Sequence, residues 1–146
     1  MTRLTIFLAL TLAIATPQSP STLDFWRNTV KAPLTGPMAD QLFVDTYKDT
    51  LIPPGKSSYF EAQVVGVVDS QGSKLVLLSM EGNGYADVAL QCDSPEWKLL
   101  ADPSAGSVVR FRGVVRNFAK QPFMVLMDPA QVSGLALFAP KSYQLL

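Results

Sequence analysis

Apolar and polar positions change rhythm near residue 58. Upstream, apolar residues recur every three or four positions, as on one face of a helix. Downstream they alternate with the period of two that a half-buried strand requires. In Tyr59 to Ser70 (YFEAQVVGVVDS), Phe60, Ala62, Val64, Gly66 and Val68 fall on one side, and Glu61, Gln63 and Asp69 on the other. Gly66, at the middle, is where such a strand can bend or bulge. Asp69 to Ser73 makes a turn into Lys74 to Met80 (KLVLLSM), a second strand apolar on both faces. Glu81-Gly82-Asn83-Gly84 is dense in residues that accept positive φ and predicts a tight turn. The third strand, Ala86 to Cys92, sets Ala86, Val88, Leu90 and Cys92 against Asp87, Ala89 and Gln91.

Ser94 then suits an N-cap and Pro95 the first helical position, so Ser94 to Leu100 predicts a short helix with Trp97 and Leu100 toward the core. Ser107 to Asn117 (SVVRFRGVVRN) is the fourth strand. A loop around Lys120-Gln121-Pro122 leads to the fifth, Phe123 to Met127, which Asp128-Pro129-Ala130 interrupts. Leu135 to Phe138 is a last short apolar element. Upstream, Thr22 to Val30 predicts a short helix that Ala32 to Pro37 breaks. Met38, Leu42, Phe43 and Tyr47 space a second helix over Met38 to Lys48, which Leu51-Ile52-Pro53-Pro54-Gly55 stops.

The first residues follow neither rhythm. Arg3 precedes a run, Leu4 to Ala15, that is apolar apart from Thr5 and Thr11, and Ala13-Ile14-Ala15 ends in small residues before a polar stretch. This is the three-part pattern of a secretory signal peptide, with cleavage expected near Ala15 and export to the periplasm or the exterior. The run is shorter than the roughly 20 residues that span a bilayer as a helix, and no second one follows. The chain thus divides into a signal peptide at residues 1–15, a leader with a short helix at 16–37, and one folded domain with its preceding helix at 38–146.

Three strands, a helix and two strands, in that order, is the connectivity of the OB (oligonucleotide/oligosaccharide-binding) fold, a mostly β architecture built on a five-stranded closed barrel. The runs Val64 to Val68, Val88 to Cys92 and Gly106 to Val115 resemble the OB-fold domains called tRNA_anti-like. There a G-x-V first strand, a V-x-C-like third strand and a G-x-x-V-x-x-x-G fourth strand recur, and a helix precedes the barrel. The resemblance covers about residues 38 to 133 and implies a fold more than a ligand. Cys92 to Trp97 is loosely similar to a second group, the exported bacterial OB-fold proteins resembling YdeI and YgiW.

Composition narrows the chemistry. Twelve basic and twelve acidic residues cancel, so no global charge draws the chain to nucleic acid or an anionic bilayer. A single cysteine, Cys92, cannot form an internal disulfide, and its place in the inward series reads as a small buried hydrophobe rather than a reactive thiol. The chain has no histidine. That removes the commonest general base, the partner of a serine or cysteine nucleophile, and the commonest metal ligand. No glycine-rich phosphate loop precedes a helix, and the carboxylates scatter. The expectation is a protein that is not an enzyme and carries neither metal nor cofactor.

One cluster stands out. Alternation in the fourth strand places Arg110, Arg112 and Arg116 on one face, opposite Val109, Phe111 and Val115, with Lys120 in the next loop and Lys74 at the start of the second strand. Guanidinium groups in such a row can hold carboxylate or phosphate, or can simply be a solvated, ion-paired face. The second and third strands lack the aromatic platforms of single-strand nucleic-acid binders. The chain therefore reads as an exported binding module for a protein, a peptide or a small anionic or saccharide ligand. It meets that ligand on the arginine face and the loops Asp69 to Lys74 and Asn117 to Pro122. Single-stranded nucleic acid is the alternative ligand. Leu75 and Leu77 on one side of the second strand, and Val76, Leu78 and Met80 on the other, suggest that both faces are covered. The cover is either the N-terminal helices, through Trp26, Phe43 and Tyr47, or a partner protein, which would be a structural or assembly role in an envelope complex.

Overall fold

A computed structural model of the chain describes residues 20–55, 58–70, 72–93 and 103–133. The signal-like run, the helix expected at Ser94 to Leu100 and the element at Leu135 to Phe138 lie outside these residues.

The helical half comes first. Helix α1 (Pro20–Phe25) runs on into a π-helical stretch, Trp26–Lys31, and then α2 (Ala32–Leu34). The sequence expected the stretch Ala32 to Pro37 to break this helix, and the helix ends inside it, carrying through Pro33 as far as Leu34. The ending comes at Thr35, whose N–H and hydroxyl both bond to the Lys31 carbonyl, at 3.0 and 2.8 Å. The Tyr47 hydroxyl donates to the Thr29 carbonyl and so ties the two helical segments together. A second helical segment, α3 (Ala39–Leu42) and the π-helical stretch Phe43–Tyr47, falls where the spacing predicted it.

Six strands follow: β1 (Leu51–Ile52), β2 (Phe60–Ser70), β3 (Ser73–Ser79), β4 (Val88–Gln91), β5 (Val108–Lys120) and β6 (Phe123–Ser133). Pairing runs β2–β3–β4–β6–β5 and returns to β2, a ring of five strands. All pairs are antiparallel except β4–β6. The two residues of β1, expected only as a helix stop, pair with Gly113 and Val114 of β5.

Two irregularities shape the ring. The register shifts between Val64 and Gly66, so β2 bulges where its glycine predicted. A bulge inserts one residue and inverts the alternation beyond it. Val67 accordingly packs toward the core, and Val68, expected inside, is 43% exposed. In β6 the Asp128-Pro129-Ala130 stretch does not end the strand. It pairs with β5 across a second register shift, where a proline without an N–H can sit. Gly113 makes this approach feasible: a Cβ there would lie 3.0 Å from the Met127 Cβ and 3.1 Å from the Asp128 carbonyl oxygen.

The inward residues of the strands form the core. Phe60, Val64, Val76, Leu78, Val88, Leu90, Phe111, Val115, Val125 and Met127 are buried, as the alternation required. Trp26 extends this core into the helical half, meeting Phe60 edge-on at 5.9 Å between ring centres and Phe123 at 6.1 Å. Phe43 stacks on Phe118 at 4.8 Å. Aromatic pairs of this kind contribute about 0.5–1.5 kcal/mol beyond area burial. The helices are thus bound to the sheet through its core. Among the described residues no helix is long and apolar enough to cross a membrane.

Candidate functional site: the outward row of β5

Arg110, Arg112, Val114 and Arg116 alternate with buried Val109, Phe111, Gly113 and Val115, so the arginines share one face as the pattern predicted. They do not share one environment. Arg116 is held at both ends: its Nε donates to Asp128 Oδ2 at 2.6 Å and its Nη1 to Asp49 Oδ1 at 2.7 Å. These carboxylates raise the guanidinium pKa above its ordinary value. Lys120, the last residue of β5 rather than a loop residue, meets Asp40 of α3 at 3.0 Å. Both cations tie the helical half and β6 to β5, and their charges are met.

Arg110 and Arg112 stand apart from this arrangement. Their guanidinium carbons lie 5.2 and 6.0 Å from the centre of the Tyr59 ring, within the range of a cation–π contact. Arg112 also reaches the Pro53 carbonyl at 3.3 Å and Gln131 Oε1 at 3.4 Å, while its buried Nε–H has no acceptor among the described residues. The register puts Glu61 opposite Arg110, and among the described residues neither guanidinium forms an ion pair. Two cations thus stand beside one aromatic ring with charge left to offer. Tyr59 escaped the sequence reading, although its phase was legible: it lies two residues before outward-facing Glu61.

Lys74 lies elsewhere. Alternation places it with Val76 and Leu78 on the inner side of β3, and its charge acts on Cys92. Cys92 is buried, and that burial pushes its thiol up to about 12, so it remains protonated at neutral pH. Asp87 is a second buried ionisable group. Its carboxylate accepts the Met80 N–H at 2.8 Å, and burial raises its pKa despite that bond. Arg27 clasps Glu81 at 2.6 Å and lowers that carboxyl below its ordinary value, fastening α1's continuation to the β3–β4 turn.

Two clefts are formed by other residues, and none of the three arginines lines either. One of about 280 Å³ is lined by Leu23, Glu61, Gln63, Met80, Glu81 and Val108 among others. The other, of about 180 Å³, is largely apolar and involves Leu75, Ala89, Phe118, Met124 and Leu126. Among the described residues no group of three or more cysteine, aspartate or glutamate side chains could hold a metal ion. No family model, curated protein or solved structure matches this chain.

Proposed function

We propose that the chain is an exported, non-catalytic binding module. On this reading the ring of strands is the closed barrel of an OB fold, of the tRNA_anti-like kind, and Arg110 and Arg112 beside Tyr59 form its contact surface for an anionic group. The ligand is a protein, a peptide or a small acidic or saccharide molecule. The strand order, with its single parallel pair β4–β6, supports the fold. The observation that carries the site is the split in the outward row. Arg116 and Lys120 have their charge met by aspartates, whereas Arg110 and Arg112 hold forked donors beside a ring. Forked guanidinium donors match carboxylate and phosphate oxygens in pairs, which gives both strength and orientation.

The test compares the processed protein with its Arg110→Ala/Arg112→Ala variant, each immobilised and exposed to extract of the native compartment. The reading expects ligands captured by the first to be lost from the second and retained by Arg116→Ala. Equal capture by all three would remove it. A second reading, docking to a partner protein in an envelope complex, is favoured by the apolar cleft at Leu75, Phe118 and Leu126. It expects Leu75→Asp, and not the arginine variant, to abolish stable co-purification. Nucleic acid would betray itself by binding that collapses with salt.

A further inference from the structure

The turn between β3 and β4 holds an asparagine whose side-chain carbonyl is fixed by two hydrogen bonds. Asn83 Oδ1 accepts two hydrogen bonds, from the Ser79 hydroxyl at 3.0 Å and from the Tyr85 N–H at 3.1 Å. The Ser79 hydroxyl is itself fixed: it accepts the Asn83 N–H at 3.2 Å, and the residue is fully buried at the end of β3. Gly84 follows Asn83, with φ of +84° and open space where a Cβ would stand. Asn83, Gly84 and Tyr85 are exposed to solvent.

We propose that Asn83 is a self-modifying site: it closes an imide with Gly84 and is converted to an acidic residue. The Gly84 nitrogen attacks the Asn83 Cγ and gives its proton to hydroxide from water. The carbonyl oxygen carries negative charge while the new N–C bond forms. The Cγ–Nδ2 bond then breaks, and the nitrogen takes a proton from water and leaves as ammonia. Water opens the five-membered imide at either carbonyl, giving aspartate or its β-linked isomer. No oxidant or reductant is required.

The fold's part is electrostatic. Two donors already aimed at Oδ1 stabilise the charge that develops there, as an oxyanion hole does, without reorganising at the moment of reaction. Gly84 has no side chain to shield the nucleophile. The product adds a negative charge to the turn that carries Glu81. The β-linked isomer also inserts a methylene into the backbone joining β3 to β4.

The experiment follows the amide-to-acid mass change and enzymatic labelling of β-linked aspartate over time. It compares the folded protein with the same chain unfolded in guanidinium chloride at one pH. The folded protein should convert faster by about fivefold or more, the worth of one or two net hydrogen bonds to the developing charge. Ser79→Ala should bring the folded rate down toward the unfolded one, and Asn83→Gln should not convert. Should Ser79→Ala fail to fold, Ser79→Cys, which weakens the donor while keeping its shape, makes the same discrimination. A folded rate equal to or below the unfolded rate would overturn the proposal. So would conversion in a folded Ser79 variant as fast as in the parent.

Discussion

The two faces of β5 follow different rules although their residues interleave one by one. The inner face, Val109, Phe111, Gly113 and Val115, is decided by space: each side chain fills what its neighbours leave, and glycine stands where β6 comes too near for a Cβ. The outer face is decided by charge. Within it, Arg116 meets two carboxylates and becomes a strut, while Arg110 and Arg112 meet a tyrosine ring and keep their charge available. Residue type alone does not assign the role. The partner that the neighbouring strand or loop presents assigns it.

This contrast can be broken most severely from inside. Phe111→Ala removes a fully buried ring packed 5.6 Å from Phe60, and should cost about 3–5 kcal/mol in denaturant unfolding. Gly113→Ala forces a methyl group against Met127 and Asp128, and should cost about 1–3 kcal/mol by overpacking. Asp87→Ala strips the acceptor from the Met80 N–H, with a loss of about 1–3 kcal/mol, whereas Asp87→Asn keeps an acceptor and should cost less.

Asp87 also gives a pH signature. Burial raises its carboxyl, so between its unfolded and folded pKa values the folded chain holds a proton that the unfolded chain has released. Stability from this group is present below that interval and declines as pH rises through it. Asp87→Asn should flatten the slope in urea titrations at stepped pH. Arg116→Ala should lower the melting temperature slightly, the more so at low salt, because its pairs are exposed. Arg110→Ala should change stability least of all, within about 0.5 kcal/mol, because Arg112 and not Arg110 also bonds to Pro53 and Gln131. A large loss at Arg110 would make it a strut like Arg116 and erase the contrast.

Period-two alternation made the inner wall legible, since a strand with one buried face must declare its phase in sequence. It placed Phe60, Val88, Leu90 and Phe111 correctly, and Gly66 marked the bulge. Beyond that bulge the phase inverted at Val68, because an alternation count does not include the inserted residue. Pro129 misled because proline reads as a breaker, yet it sits beside a register shift, where no N–H is required. The arginine row was visible as a row. Its division was not, because Asp49, Asp128 and Tyr59 lie 12 to 67 positions away in sequence and only the strand pairing brings them together.

The division of that row is tested most directly by nuclear magnetic resonance of the arginine Nε–H groups during titration with inorganic phosphate and then with an acidic oligosaccharide. The signals of Arg110 and Arg112 should move first and saturate, while that of Arg116 holds still until its ion pairs are screened. Movement of Arg116 first, or of all three together at the same concentration, would contradict the assignment of one pair to contact and the other to support.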